Sequence, residues 1–245
     1  MIRHDGYDRA AVFYDLFDTK DNVDFFHHYA QPTGIIADIG AGTGRIAIPL
    51  AARGIQVYCV EPSEAMLKEF EKKLAKDIRL SRRITLQKND AAAFEFDRRF
   101  PAAFLSGAYD HFMDDDERIA ALSNMHRHLE TGGKIVFDVF LGSMKNSPLH
   151  PAGSITQGTT EYRRYIKSTI GSDNRIEVLL VYEKYQRGRL TQRIEQQSQA
   201  AVVNRKQTHE VLAMTGFEVV HEYSDYQFKK FTPGDDLLIV EAERT

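Results

Sequence analysis

The sequence predicts an α/β fold built on a doubly wound parallel sheet, with a layer of antiparallel strands inserted after the fifth strand. Strand patterns alternate with helical patterns as far as about residue 140, which is the order expected when helices cover both faces of a parallel sheet. Beyond that point, alternating apolar residues favour antiparallel strands. The length of 245 residues is enough for a substantial buried core, and we treat residues 1–245 as a single domain.

The chain begins with an aromatic segment, and we expect residues 1–30 to be helical and to form a lid. Residues 5–30 have the pattern of one or two helices. Their aromatic residues are too many for a solvated tail: Tyr7, Phe13, Tyr14, Phe17, Phe25, Phe26 and Tyr29. Such side chains can pack a flat or uncharged ligand and exclude water. Packing in an ordinary core helix would explain them equally well.

Residues 34–44 combine an apolar strand with an acidic residue and a glycine-rich turn. The strand contains Ile35, Ile36 and Ile39, and the glycines are Gly40, Gly42 and Gly44. Such an apolar run indicates a strand buried on both faces. Glycines let the turn approach a ligand with no Cβ in the way. A dinucleotide-binding turn would need a small residue where this chain has Arg45, so the spacing argues against that class of site.

The elements that follow continue the alternation. Residues 55–60 form a second strand that ends at Glu61, and Ser63 is a suitable N-cap for the next helix. Residues 84–87 form a third strand, and a Gly-Gly turn at 132–133 leads into the fifth strand. The sequence therefore predicts that several polar residues lie where strands of one parallel sheet end.

The glycine turn resembles a motif of a known family. Asp38-Ile39-Gly40-Ala41-Gly42-Thr43-Gly44 matches Asp/Glu-x-Gly-x-Gly-x-Gly, the first motif of the class I S-adenosylmethionine (SAM) dependent methyltransferases. The chain resembles that family well over residues 34–140, and the later elements follow in the same order. The resemblance implies the class I methyltransferase fold, a Rossmann-like sheet of seven strands, with SAM as cofactor and S-adenosylhomocysteine as product.

The resemblance also implies roles for individual residues. Glu61 is expected to bind both ribose hydroxyls, because a carboxylate can accept two O–H donors. Asp90 is expected near the adenine amino group. The full set of residues expected at the cofactor is Asp38, Gly40, Ala41, Gly42, Gly44, Glu61, Pro62, Asn89, Asp90, Ala91 and Ser106.

Residues 141–205 are predicted to be the antiparallel insertion. Residues 141–158 are rich in Gly, Pro and Ser, which indicates a loop, and alternating stretches follow near 161–170, 175–186 and 190–203. Similarity to small-molecule methyltransferases implies a lid on the acceptor side, and a dimerisation surface is the alternative. A capped helix over residues 208–215, ended by Gly216, and strands at 217–223 and 237–242 complete the sheet.

The chemistry at the acceptor asks little of side chains. A sulfonium methyl group is already activated, so the protein must mainly align the acceptor and exclude water. Residues 106–112 replace the Asn/Asp-Pro-Pro-Tyr/Phe motif of the methyltransferases that act on nucleic acid bases, so that mechanism does not carry over. His111 is the best acid/base candidate, with a structural histidine as the alternative. Tyr7 and Tyr14 are further catalytic candidates. The expected substrate contacts are Tyr7, Tyr14, Phe17, Tyr109, His111, Phe112 and Phe140.

Composition limits the partners. The formal net charge of −3 gives no general attraction to nucleic acid, and no run approaches the length of about 18 apolar residues needed to cross a bilayer. The single Cys59 excludes an intramolecular disulfide. The acidic run at 114–117 suits a helix N-terminus, so no metal site is predicted. We expect a cytoplasmic monomer or homodimer with neither a nucleic-acid nor a membrane partner.

The sequence thus predicts a SAM-dependent methyltransferase with a small-molecule acceptor, in which nitrogen of a heterocycle or amine is favoured. That preference follows from similarity to bacterial N-methyltransferases of the amino-sugar and toxoflavin types. An O-methyltransferase that uses His111 as its base is one alternative. A SAM-binding regulator that has lost turnover is another.

Overall fold

A computed structural model describes residues 10–17, 21–142, 145–171 and 175–245. Its helices are α1 Ala11–Tyr14, α2 Val23–Ala30, α3 Ala47–Ala52, α4 Glu64–Leu74, α5 Ile78–Ser81, α6 Asp115–His128 and α7 Arg205–Met214, with 3-10 turns at Asp15–Phe17 and Tyr109–His111. Its strands are β1 Ile35–Ile39, β2 Gln56–Val60, β3 Ile84–Gln87, β4 Phe100–Leu105, β5 Leu129–Phe140, β6 Ser147–Gln157, β7 Thr160–Ile170, β8 Arg175–Gln186, β9 Arg189–Ala201, β10 Phe217–Tyr223 and β11 Leu237–Arg244. The roles predicted for Tyr7 lie outside the described residues.

The central sheet has seven strands in the order β10-β11-β5-β4-β1-β2-β3. Strands β1 to β5 run parallel to one another. Strand β11 is antiparallel to β5, and β10 is antiparallel to β11. The predicted doubly wound sheet is therefore confirmed. Its winding reverses between β1 and β4, and open α/β sheets bind ligands outside the carboxyl ends of the strands at such a reversal.

Helices cover both faces of this sheet. Successive strand residues point to opposite faces. Ile36 of β1 lies in an apolar cluster with Phe26 of α2, whereas its neighbour Ala37 lies in a second cluster with Leu122 of α6 and Leu212 of α7. Burial on both sides explains why the parallel strands have nearly continuous apolar sequences.

Two glycines of the turn after β1 are required by close packing. Gly44 has φ +85°, a conformation that favours glycine, and a Cβ at this position would overlap the fully buried ring of Phe70 in α4. A Cβ on Gly40 would lie 2.9 Å from the Cβ of Ala108. The turn can therefore lie against both α4 and the loop after β4.

The inserted sheet contains strands β6 to β9 in sequential antiparallel order. The predicted loop over residues 141–158 is wrong at Ser147–Gln157, which is strand β6. Among the described residues this strand pairs with β7 alone, and its register shifts near Pro151 and Gly153. An edge strand tolerates proline, because one side of its backbone needs no ladder partner. Proline and glycine in this stretch therefore indicated a loop where the chain forms an irregular edge.

Two boundaries also differ from the predictions. Strand β5 already begins at Leu129, and the predicted Gly-Gly turn is a register shift within it, because Phe100 pairs with Leu129 whereas Ala102 pairs with Lys134. Helix α7 begins at Arg205, where the preceding asparagine forms a capping box with the glutamine three residues later.

The N-terminal segment divides between two parts of the molecule. Phe26 of α2 is fully buried and its ring lies 4.9 Å from that of Phe104 in β4, so α2 belongs to the core. Phe13 of α1 instead stacks on Tyr182 of β8 at 5.5 Å between ring centroids. Residues 10–17 thus contact the inserted sheet, and the lid predicted over residues 1–30 stays a prediction. Within the described ranges no helix is both long enough and apolar enough to span a membrane.

Replacement of Gly44 by alanine should destabilise the fold strongly. The new methyl group must displace the Phe70 ring, and the alanine must keep a positive φ. Together these effects should lower the free energy of unfolding by about 2–4 kcal/mol. Gly54→Ala is a matched control, because Gly54 has φ +98° with no atom within 4 Å of its Cβ position, and it should lose only about 1 kcal/mol. Urea unfolding followed by circular dichroism measures both values, and equal losses would contradict the packing role.

Candidate cofactor and acceptor site

A cavity of about 1170 Å³ lies between the carboxyl ends of the parallel strands and the inserted sheet. Twelve predicted site residues line it: Tyr14, Asp38, Gly40, Ala41, Gly42, Glu61, Pro62, Asp90, Ala91, Ser106, His111 and Phe112. The described candidates that do not line it are Phe17, Gly44, Asn89, Tyr109 and Phe140. The structure therefore brings most of the predicted cofactor residues together, and fewer of the predicted substrate contacts.

Asp38 presents a buried carboxylate at this cavity. The residue is 2% exposed, and its Oδ2 has no hydrogen-bond partner among the described residues. Burial is the main reason that its pKa rises from 3.8 to about 7; Arg45 opposes the rise and Glu61 adds to it. A carboxylate with one unsatisfied oxygen is suited to a cationic ligand group.

Glu61 lies directly after β2 and is held by two backbone donors. Its Oε2 accepts the N–H of Gly42 at 2.8 Å, and its Oε1 accepts the N–H of Ser63 at 2.8 Å. Burial raises the pKa of Glu61, whereas these two donors and the charge of His111 oppose that rise. Each carboxylate oxygen can accept a second hydrogen bond. Glu61 can therefore bind two hydroxyl groups while the backbone fixes its side chain.

Asp138 of β5 holds the loop after β4, which lines the cavity. Its carboxylate accepts the N–H of Gly107 at 2.6 Å, the Ser106 hydroxyl at 3.0 Å and the Tyr226 hydroxyl at 2.9 Å. Burial raises its pKa, and these donors oppose the rise. Arg45 also donates to the Ser106 oxygen at 2.9 Å. No role for Asp138 is predicted from the sequence, although its place near the carboxyl end of a parallel strand could have suggested one.

His111 faces the cavity from the short turn after β4. Its Nδ1 lies 3.2 Å from the carbonyl oxygen of Gln199 in β9. A carbonyl can only accept, so this contact places a proton on Nδ1 and, in the neutral ring, the lone pair on Nε2. The inserted sheet thereby selects the tautomer of a histidine that belongs to the central domain.

The wall of the cavity that the inserted sheet forms is mostly polar. Strand β9 contributes the run Glu195–Gln199, and β7 and β8 contribute Lys167, Thr169, Arg175 and Glu177. Tyr14 and Phe112 are the predicted aromatic contacts that line the cavity. Sequence reasoning assigned no role to the amide-rich β9, whose alternation indicated a strand but not which ligand the strand would face.

Two predicted substrate contacts lie away from this cavity. Tyr109 is fully buried and stacks on Phe137 with 4.6 Å between ring centroids, so it belongs to the core. Phe140 is 46% exposed and packs beside Gly142 at the end of β5. The expectation that both side chains contact the substrate does not fit these positions, because hydrophobic periodicity does not tell a core ring from a ring that faces a ligand.

Three other predicted residues support the site from outside the cavity. Phe17 packs against Tyr182, and the Arg164 guanidinium lies 4.9 Å from its ring. Asn89 accepts the N–H of Asp90 at 2.9 Å and so shapes the loop after β3. Gly44 provides the close packing on α4 described above. These positions indicate structural support rather than ligand contact.

Comparison with known proteins agrees with this arrangement. A family model described as a methyltransferase domain matches residues 36–133, the span from β1 into β5 that contains the glycine turn, Glu61 and His111. Residues 36–133 therefore resemble a methyltransferase domain. The seven-stranded sheet has the class I methyltransferase fold, and the antiparallel sheet follows β5 as predicted.

Similar sequences include an uncharacterised methyltransferase of Bacillus thuringiensis (strain Al Hakam), which is 28% identical over 142 residues, covering 54% of this chain and 64% of the relative. The match thus spans less than two thirds of the relative's length. The structure of the CcbJ methyltransferase from Streptomyces caelestis is similar with a TM-score of 0.81, 17% identity and 98% coverage of both chains. The structure of the sugar N-methyltransferase KedS8 from Streptoalloteichus is also similar, with a TM-score of 0.73 and 21% identity. The match covers 95% of this chain and 93% of KedS8.

Asp38→Asn should change how the stability of the protein depends on pH. The unfolded chain ionises Asp38 near pH 4, whereas the folded protein keeps the proton until about pH 7. Unfolding between these values releases a proton, so this residue makes the wild type less stable as pH rises. Between pH 5 and pH 8 the variant should gain about 2–3 kcal/mol of unfolding free energy relative to the wild type. Urea unfolding at both pH values measures the free energy of unfolding of the variant and the wild type. An equal change in the two proteins between pH 5 and pH 8 would refute the raised pKa of Asp38.

Proposed function

We propose that this methyltransferase transfers the methyl group of SAM to a small-molecule acceptor, and that the acceptor atom is nitrogen. The observation that carries the proposal is the arrangement of Asp38, the Gly-rich turn and Glu61 around one cavity. Two acids at neighbouring strand ends, with a turn that allows close approach, suit a ligand that has both a cationic end and a diol.

The residues at the cavity fit SAM group by group. The ammonium of its methionine part suits Asp38, whose Oδ2 has no partner among the described residues. Its ribose hydroxyls suit the two oxygens of Glu61. Asp90 lines the cavity and accepts the N–H of Ala92 at 2.8 Å through one oxygen, and an acceptor such as its other oxygen suits the adenine amino group. When bound, SAM supplies a methyl group that needs no further activation.

The walls of the cavity favour a polar acceptor. Gln196 is 5% exposed and Gln199 lies on the same strand, so amide groups from β9 meet the acceptor space. Burying polar groups is costly unless they are hydrogen-bonded, so polar walls discriminate against purely apolar molecules. This composition, and the similarity in fold to a sugar N-methyltransferase, support an amine that also carries hydroxyl or amide groups.

Oxygen remains the second candidate acceptor because of His111. A neutral amine needs no strong base, whereas a hydroxyl benefits from one. The contact of Nδ1 with the Gln199 carbonyl puts the basic lone pair on Nε2, as a general base requires. A SAM-binding regulator is the alternative from another class, and it would bind cofactor without transferring methyl groups.

Methyl transfer from labelled SAM to a panel of amino sugars, simple amines, nitrogen heterocycles and phenols tests the proposal. Labelled N-methyl product with any amine supports it, and exclusive labelling of hydroxyl oxygen favours the base mechanism. SAM binding without transfer to any panel member would favour the regulator.

Glu61→Ala should weaken SAM binding by more than about tenfold, because two ribose hydroxyls lose a charged acceptor. Glu61→Gln keeps one oxygen acceptor and should lose less. Glu64→Gln is a matched control, since Glu64 is an acid three residues away that pairs with Lys68 and Lys88 outside the cavity. Isothermal titration calorimetry gives the three affinities, and wild-type affinity in Glu61→Ala would eliminate the ribose role.

His111→Ala and His111→Asn together separate the two acceptor chemistries. An asparagine amide can donate where Nδ1 donates to the Gln199 carbonyl, but it cannot act as a base. Transfer to nitrogen predicts that the asparagine variant keeps kcat within a few-fold, with any loss mainly in KM for the acceptor. Transfer to oxygen predicts that both variants lose about 100-fold or more in kcat. Steady-state kinetics with an acceptor found in the panel decide between these outcomes.

A further inference from the structure

Three separate parts of the chain meet at the side chain of Asp15. The Thr43 hydroxyl, in the glycine turn, donates to Asp15 Oδ1 at 2.6 Å. Lys73 of α4 pairs with Asp15 Oδ2, and its Nζ also donates to the Thr43 carbonyl at 2.7 Å. Thr43 is fully buried. Asp15 thus connects the N-terminal segment to the cofactor turn and to the helix behind it.

The same segment reaches the acceptor side of the cavity. The backbone N–H of Ala10 donates to Gln196 Oε1 at 3.1 Å, and the Phe13 ring stacks on Tyr182 of β8. Tyr14, directly before Asp15, lines the cavity. Residues 10–17 therefore form a bridge, with one end on the inserted sheet and the other on the turn between Gly42 and Gly44.

The contact with Thr43 is stronger than an ordinary surface ion pair. A hydroxyl that donates to a carboxylate forms a charge-assisted hydrogen bond, and loss of the carboxylate would leave a buried hydroxyl without that acceptor. The neighbouring Gly42 donates its N–H to Glu61. A ligand that engages Glu61 therefore acts on the backbone next to Thr43, and through Thr43 on Asp15.

We infer that Asp15 is a positioning residue that couples the bridge of residues 10–17 to the cofactor turn. Binding of the cofactor should therefore reduce the mobility of the bridge, which lies beside the acceptor cavity. The inference rests on the proposed function, because ordering the bridge serves a purpose only if an acceptor is methylated next to it. Coupling of this kind is reciprocal, so loosening the bridge should also weaken cofactor binding slightly.

Hydrogen exchange with and without S-adenosylhomocysteine tests the coupling without an acceptor. In the wild type, saturating S-adenosylhomocysteine should slow amide exchange in residues 10–17 by at least about fivefold. Asp15→Ala and Thr43→Val should bind this ligand within about tenfold of the wild-type affinity, yet show less than about twofold slowing. Thr43→Ser keeps the hydroxyl and should restore the slowing. Asp24→Asn, which removes an exposed ion pair with Arg53, is the matched control and should behave like the wild type.

Several outcomes would overturn the inference. Equal slowing in Asp15→Ala and the wild type would show that the bridge responds without Asp15, and absence of slowing in the wild type would show that no coupling exists. Complete loss of S-adenosylhomocysteine binding in folded Thr43→Val or Asp15→Ala would mean that the cluster builds the cofactor turn itself. If Asp15→Ala does not fold, the comparison of Thr43→Val with Thr43→Ser decides alone. Failure of the wild type to bind S-adenosylhomocysteine at all would instead refute the proposed function.

Discussion

Burial of negative charge at one edge of the sheet is the constraint on which the site depends. Asp38, Glu61 and Asp138 lie near the carboxyl ends of parallel strands, and burial raises the pKa of each carboxyl. Different groups oppose the rise of the pKa at each residue. They are the Arg45 guanidinium at Asp38, backbone N–H groups at Glu61, and the Gly107 N–H with the Tyr226 hydroxyl at Asp138. Glu61 and Asp138 are largely satisfied by the protein. Asp38 keeps an oxygen for a ligand, so a cationic group bound there would relieve part of the cost of folding and stabilise the protein by linkage.

The acceptor side is assembled from elements that are distant in sequence. Strand β9 supplies amides and the carbonyl that orients His111, and the bridge of residues 10–17 closes one side through Tyr14. The predicted cofactor residues lie on the central sheet and its loops, whereas the insertion lines another part of the cavity. This division agrees with the extent of the two similarities: the family match ends near β5, and the similarity in fold to CcbJ extends over nearly the whole chain.

The sequence allowed prediction of those parts of the fold that local physics determines. The strand and glycine turn at 35–44, the Ser63 cap and the strands at 84–87 and 217–223 match the structure, because burial, capping and positive φ each leave a local signal. Strand β6 was missed because prolines and polar residues at a sheet edge resemble a loop. The error at Tyr109 and the missing role of Asp138 have another origin. Which face of an element meets a cavity depends on tertiary packing, and one sequence does not record it.

The contact between His111 and Gln199 links acceptor chemistry to the backbone rather than to a side chain. Because the carbonyl of residue 199 holds the imidazole, the side chain at that position can change without releasing the histidine. The amide of Gln199 can thus adapt to different acceptors, while the tautomer at His111 stays the same as long as β9 keeps its register with β8. The shape of the cavity and the proton chemistry at His111 would then vary independently, which is the property expected of an insertion that adapts one core to different ligands.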